Sequence, residues 1–358
     1  MKFAGNFFRV MVLLLAAAAA LGFFSGCSKK DGAPTDKLVV VLEENIVGQP
    51  LIAIAKEKGY FREYGLEIEP VTINIGAIEA LDANKADILP VGIIPSLSFA
   101  TQGSAVRIIG GTASGGNYII AKQELAEKLR NDQNFESWKG KKFGIVRLST
   151  SEMVTRYSLG KIGFDLKNEV TLVEIDSYPN IIEGVRKGQV DIGSIDRSYA
   201  QQLAPQGLDV VYPMTRLLPD YVCCRVSVSG DAYKNKRTAL VKFLKGVIRA
   251  YKDYTEDHDA TVKLLAKASR QDESYVYNVV YNPDTYADRN YNPEPNLAGV
   301  RNIYETLRQW GYVADNGVKA EDIVDISLFK EALDDILKKY PNEQAFLKLK
   351  TNFEANSL

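Results

Sequence analysis

The sequence predicts an α/β protein of two lobes, each a mostly parallel sheet flanked by helices. Three observations carry this. From Leu38 onward, short apolar runs alternate with stripes at helical spacing, the pattern of βαβ units. The same order recurs 104 residues later in the chain. Beyond the first apolar segment roughly 330 residues remain, more than one hydrophobic core usually supports.

Residues 1–26 stand apart from that fold. Their only charges are Lys2 and Arg9, followed by the apolar run Val10–Phe24 and then Ser25, Gly26 and Cys27. This is the layout of a signal peptide, and the run is shorter than the ~20 apolar residues a spanning helix needs. Phe24-Ser25-Gly26-Cys27 resembles a bacterial lipobox, with Phe24 where Leu is usual. That resemblance implies cleavage before Cys27, a diacylglycerol on its thiol and a membrane anchor. Ser28–Lys37 is polar and aperiodic, so residues 27–37 read as the lipidated cysteine and a flexible tether.

Removing the two cations of residues 1–26 from 44 Lys+Arg leaves 42 against 45 Asp+Glu. Such a balance offers no basic surface for a phosphate backbone, and no nucleic-acid partner is expected. Apart from Cys27 the chain holds only Cys223 and Cys224. Neighbours in a strand point to opposite faces, so a disulfide between these two would be strained, and buried apolar thiols are expected.

Leu38–Leu42 is a continuous apolar run, as in a strand buried on both faces. Leu51, Ile52, Ile54 and Ala55 form a helical stripe that stops near Gly59. Leu66–Val71 is the second strand, Ala77–Asn84 the next helix, and Ala86-Asp87-Ile88 opens the third strand. A shift of 104 residues lays Val39–Leu42 on Phe143–Val146, Leu66 and Ile68 on Val170 and Leu172, and Asn84–Ile88 on Gly188–Ile192. Asn84 and Gly188 suit left-handed helix ends. Between the copies, Gly110–Gly116 lacks the lysine of a phosphate loop and reads as a crossover into a strand at Tyr118–Lys122. The chain returns along Tyr221–Ser229.

After the return, Ala239, Leu240, Phe243, Leu244, Val247, Ile248 and Tyr251 mark the clearest amphipathic helix. Val262–Leu265, Ile303–Trp310 and Ser327–Leu337 indicate more helices. Asn278–Asn296, broken by three prolines and carrying Tyr281, Tyr286 and Tyr291, is a long loop, either a cleft wall or plain surface. The expected division is lobe 1 from residues 38–120 and 225–358, and lobe 2 from residues 121–224.

Gly59–Glu69 (GYFREYGLEIE) resembles a segment of substrate-binding proteins from the nitrate/sulfonate/taurine family of ABC importers, which also includes binders of thiamine pyrimidine precursors. Ala80–Pro95, Trp138–Ile145, Ser149-Thr150-Ser151 and Gly188–Asp196 resemble further family motifs in the same order, so the likeness runs from about Leu38 to Leu333. It implies a two-lobed type 2 periplasmic-binding-protein fold that closes on a small solute. It also implies delivery to an ABC permease with its ATPase subunit, and an extracytoplasmic, lipid-anchored location. The loop Glu43-Glu44-Asn45 departs from the family pattern, which leaves the ligand open among sulfonates, taurine-like zwitterions, nitrate-like anions and pyrimidine precursors.

In open α/β sheets ligands bind beyond the carboxyl ends of strands. The register pairs Glu43–Ile46 with Arg147–Thr150, and Gly92–Pro95 with Asp196–Tyr199. The candidate ligand contacts are therefore Glu43, Asn45, Pro95, Ser96, Arg147, Ser149, Thr150, Ser151 and Asp196. Ser149-Thr150-Ser151 opens a helix whose N-terminus could meet an anion, with Arg147 as a charged fork. Ser149-x-x-Glu152 is equally a capping box. Arg225 sits near the expected hinge. The only histidine, His258, lies among Glu256, Asp257 and Asp259 ahead of a helix. No metal cluster, nucleophile triad or cofactor site assembles from these residues. Binding without turnover is expected. The rivals are a lipid-anchored sensory module, and an enzyme resembling the pyrimidine synthases.

Overall fold

The protein is described by a computed structural model that covers residues 36–43, 45–73, 76–219, 221–282 and 289–358. The signal segment, Cys27, most of the expected tether and Glu44 lie outside the described residues. Among the described residues no helix is long and apolar enough to cross a membrane.

The chain runs through β1 (Asp36–Val41), β2 (Leu66–Val71), β3 (Ile88–Gly92) and β4 (Arg107–Ser114). It continues through β5 (Asn117–Lys122), β6 (Lys142–Ile145), β7 (Thr171–Glu174), β8 (Ile192–Asp196), β9 (Leu208–Pro213) and β10 (Val222–Val228). These form two five-stranded mixed sheets, ordered β2-β1-β3-β10-β4 and β7-β6-β8-β5-β9. In each, four strands run parallel, and one strand arriving from the other half of the chain, β10 or β5, lies antiparallel between the third of them and the edge strand. The two sheets thus have one topology, as the internal repeat predicts.

Details differ from the sequence reading in instructive ways. Strand β1 already includes Asp36, inside the expected tether: Asp36 pairs with Leu66 in the sheet, and its carboxylate meets Lys242 Nζ at 2.6 Å. The third strands do match at 104 residues, yet Val40 sits beside Ile88 where Phe143 sits beside Ile192. The first strands are therefore offset by one residue from that register. Gly110 and Gly111 are strand residues, and only Gly115 and Gly116, with φ of 69° and 85°, make the crossover. Beyond Pro341, where the sequence carries no clear pattern, the chain ends in a helix, Gln344–Ser357.

Equivalent residues hold the two halves in equivalent ways. Asp87 accepts the Val39 N–H at 2.8 Å, and Asp191 accepts the Lys142 N–H at 2.9 Å. Asn84 (φ 56°) and Gly188 (φ 74°) both end helices in the left-handed region, as expected.

Helix α1 (Pro50–Glu57) starts with proline at its first position, which needs no N–H there. Helices α2 (Ile93–Thr101) and α3 (Thr150–Lys161) follow β3 and β6. The long α4 (Arg237–Glu256) covers the first sheet, burying Leu240, Phe243, Leu244 and Val247 against α1 and β1. Phe61 stacks on Phe243 with centroids 5.2 Å apart. A second core is continuous between the halves: Ile93, Ile94 and Leu97 of α2, Met153 and Val154 of α3, and Val300, Ile303 and Leu307 of α5 (Leu297–Gln309) belong to one cluster. The last helix, α6 (Gln344–Ser357), buries Phe346, Leu349 and Phe353.

Candidate functional site

The loops at the carboxyl ends of the strands are shaped by their own caps. After β1, the Glu43 N–H donates to Gln49 Oε1 (3.1 Å), and Gln49 Nε2 donates to the Pro90 carbonyl (3.1 Å). Asn45 Oδ1 accepts the Val47 N–H (3.3 Å), while its Nδ2 donates to Tyr275 Oη (3.0 Å). After β6, Ser149 Oγ accepts the Glu152 N–H (3.0 Å) and lies 2.7 Å from the Val146 carbonyl. Ser149 thus serves as the helix cap. The reciprocal arm of the expected box is displaced by one residue: Glu152 Oε2 accepts the Leu148 N–H at 2.6 Å. Its Oε1 takes Arg156 Nε (2.9 Å) and Tyr312 Oη (2.7 Å).

The other expected contacts divide. Thr150, 5% exposed, donates to the Cys223 carbonyl at 3.3 Å, and Ser151 is fully buried with Oγ 2.8 Å from Ser149 Oγ. Ser96, 1% exposed, uses its hydroxyl on Ser227 (2.8 Å) inside the first half, below the half-buried Pro95. Arg147 is exposed and makes no ion pair among the described residues. Asp196 caps the turn after β8 through the Ser198 N–H (2.9 Å) and pairs with Arg289 Nη1 at 3.1 Å.

Across the junction the halves touch closely. A β-carbon on Gly92 would stand 3.2 Å from Thr150 Oγ1, so the end of β3 abuts the start of α3. Glu43 is exposed, although protein atoms crowd one side of its carboxylate. Desolvation, then the negative charge of Asp196, push its carboxyl up to about 7, against the opposing pull of Arg289. Glu43, Asp196 and Arg289 therefore form one charge cluster spanning the two halves.

Arg289 and Tyr291 belong to the long loop, and sequence reasoning left their role undecided. The structure lays residues 290–294 along the free edge of β4. The Gly111 N–H donates to the Pro293 carbonyl (2.8 Å), Asn292 N–H to Thr112 (3.2 Å), and Ser114 and Asn290 exchange two bonds. This strap explains the glycines. A β-carbon on Gly111 would collide with the Glu294 carbonyl and sit 2.7 Å from that of Asn292; one on Gly116 would stand 2.7 Å from Arg289 Cδ. Arg289 is 5% exposed along its side chain, and its Nε has no hydrogen-bond partner among the described residues.

Around this cluster stands a wall of tyrosines. Tyr291, fully buried, lies under the guanidinium groups of Arg197 (5.5 Å) and Arg289 (5.2 Å), with Tyr254 edge-on at 5.5 Å. Tyr281 stacks on Tyr254 (5.3 Å) and on His258 (4.1 Å). From the other half, Tyr178 and Tyr199 meet at 5.8 Å. The recurring tyrosines of residues 278–296 were the one available signal. Arg225 is buried and bound to the Ala113 and Cys224 carbonyls (3.0 and 2.7 Å); burial lowers its guanidinium to about 10. It anchors the return crossover. Among the described residues no group of three or more potential ligands forms a metal site.

A model of the NMT1-like family matches residues 37–268, well over half of the chain. The chain belongs to the NMT1-like family. A binding protein of Brucella abortus (strain 2308) is 22% identical to this NMT1-like chain over 265 residues, 73% of the chain and 79% of that protein. The ligand-binding component of an ABC-type import system from Staphylococcus aureus, with zinc bound, gives TM-score 0.69 at 16% identity, covering 83% of this chain and 99% of its own. The periplasmic nitrate-binding protein of Synechocystis PCC 6803 gives TM-score 0.70 at 12% identity, covering 90% and 98%. The alkanesulfonate-binding protein of Xanthomonas axonopodis pv. citri, bound to MOPS, gives 0.64 at 16%, covering 81% and 98%. The fold of this NMT1-like protein is therefore the two-lobed periplasmic-binding-protein fold. A desulfurization enzyme also shares it (TM-score 0.58, 15% identity, 84% and 99% covered), so function rests on the site.

Proposed function

We propose that this NMT1-like chain is the extracytoplasmic solute-binding component of an ABC importer, held to a membrane through lipid on Cys27. The lobes divide near the two crossovers, and a small organic solute is captured between them without being transformed. One observation carries the reading: Glu43 from one half, Asp196 from the other and the strap residue Arg289 converge, with the buried Arg289 Nε unmatched among the described residues. A buried polar group of that kind costs roughly 1–3 kcal/mol until a partner arrives, which a ligand oxygen would supply. Mixed charge suits a molecule with both an acceptor and a donor, such as a taurine-like zwitterion or a polar pyrimidine, better than a bare anion. The importers and nitrate- and sulfonate-binding proteins of the same fold support the role. Ser149, Ser151 and Ser96 are assigned to capping and packing, and Glu43, Asn45, Thr150 and Asp196 to the cleft.

The test is a thermal-shift panel of sulfonates, taurine, nitrate, carboxylates and pyrimidines, each followed by mass analysis of the recovered compound. One class should raise the melting temperature, by about 3 kcal/mol of added stability at a hundredfold excess over Kd, and be recovered intact. Conversion of the stabilising compound refutes the reading, as does the absence of stabilisation by any class.

A further inference from the structure

Cys223 and Cys224 were expected to point to opposite faces of β10 as buried apolar thiols. The strand is irregular at this point. Val222 pairs with Ser114 and Cys224 with the next residue along β4, Ala113, so Cys223 is an extra residue inserted into the ladder. Such a bulge breaks the alternation that separates adjacent side chains. The two Sγ atoms lie 3.1 Å apart, about 1 Å from the S–S bonding distance of ~2.05 Å. Cys223 is 4% exposed, whereas Cys224 is half-buried and within electrostatic reach of Glu43 and Arg289. The pair therefore lies beside the Glu43 and Arg289 charges at the junction of the two halves.

We infer that Cys223 and Cys224 are a reversible redox site, closing to a vicinal disulfide on exchange with a small-molecule disulfide that enters the cleft. Cys224, the accessible thiol, loses its proton and attacks one sulfur of the oxidant R–S–S–R. The Cys224–S–R bond forms, and one thiolate leaves to become R–SH. The Cys223 thiolate then attacks Cys224 Sγ, the Cys223–Cys224 bond forms, and the second R–SH departs. Two cysteine thiols are oxidised by two electrons, and one external disulfide is reduced to two thiols. In the free dithiol the hydrogen bond from Cys224 draws the Cys223 thiol below its ordinary value while Cys224 is pushed up; once Cys224 is in the mixed disulfide and has no proton to donate, Arg289 and Thr150 remain to favour the Cys223 thiolate in the second step. The first step therefore speeds up as pH rises. An extracytoplasmic location, as proposed above, is where such bonds persist, but the bond itself can be tested apart from that reading.

Trypsin would release both cysteines in one peptide, Leu217–Arg225. The full chain, reduced and desalted, is treated with hydroxyethyl disulfide under native conditions, and free thiols are then alkylated before digestion. The expected peptide carries no alkyl group and is lighter than the reduced form by about 2 Da, and dithiothreitol restores both alkylation sites. Prior phenylarsine oxide, which bridges paired thiols, should block the change. In Cys223→Ser the oxidant should remain trapped on Cys224 as a mixed disulfide. A doubly alkylated peptide from treated native protein overturns the inference, as does stable addition of two oxidant groups to the unsubstituted chain. Failure of the solute panel alone leaves this outcome unaffected.

Discussion

Replacing Gly111 with alanine should separate the strap from the sheet without removing any side chain. Residues 290–294 lie so close to β4 that the new methyl would collide with the Glu294 carbonyl and sit 2.7 Å from the Asn292 carbonyl, where ordinary contact begins at 3.4 Å. Both obstacles are backbone atoms, so no rotamer change relieves them, and the strap must move by roughly 1 Å. That movement stretches the bonds from Gly111 N–H to Pro293 (2.8 Å) and from Asn292 N–H to Thr112 (3.2 Å) past useful length. Two lost bonds at about 1 kcal/mol each, with about 1–3 kcal/mol for overpacking, give about 3–5 kcal/mol. In a chain of this size that lowers the melting temperature by roughly 4–7 °C. Arg289 moves with the strap, so the Asp196 pair at 3.1 Å opens and solute affinity falls too. Differential scanning calorimetry with and without the stabilising solute reads both effects. A Gly111→Ala protein melting within 1 °C of the parent would refute the packing argument, and one with lowered stability but full affinity would remove Arg289 from the site.

Further expectations follow from the same geometry. Glu152 is 1% exposed and holds Leu148, Arg156 and Tyr312, so Glu152→Ala should cost about 3 kcal/mol, read as a lower urea midpoint at constant m; a change below 1 kcal/mol would contradict this. Glu43 holds a proton in the folded state up to about pH 7, against 4.5 when unfolded, so its contribution is full below pH 4.5 and is lost as pH rises through 7. Glu43→Gln should flatten that part of the stability profile between pH 5 and 8, and an unaltered profile would show that the carboxyl titrates normally. Thr150→Ala should lower apo stability by about 1 kcal/mol through its bond to the Cys223 carbonyl. Asp196→Asn should weaken solute binding severalfold, measured by titration calorimetry, and should also lower apo stability because it leaves the buried Arg289 without its carboxylate; unchanged affinity would remove Asp196 from the cleft.

The architecture was legible because it is written in periodicity. Parallel strands buried on both faces leave apolar runs such as Leu38–Leu42, and the paired Asp87 and Asp191 mark the same position in both halves. The loops beyond the strands could be located by the same register, which places Glu43 within electrostatic reach of Asp196 and Thr150 against Gly92. What could not be read was which hydroxyls were already engaged. Ser149 and Ser151 look like ligand donors in one dimension, but their partners are a helix N–H and each other. Arg289 escaped for a different reason: its place depends on an irregular strap held by backbone bonds to β4, which has no side-chain period. The bulge at Cys223 has no sequence signature either, because it arises from the registry between β10 and β4.

The position of β10 also bears on how the protein can be made. It lies between β3 and β4, so the first sheet has a missing middle strand until residue 228 exists, although β1 begins at residue 36. Some 190 residues separate those events, and at ribosomal rates of about 5–20 residues per second the delay is roughly 10–40 s. Throughout that interval the N-terminal half cannot assemble its full sheet and stays threadable. A polypeptide that must pass a narrow translocation channel before folding would benefit from that order of strands.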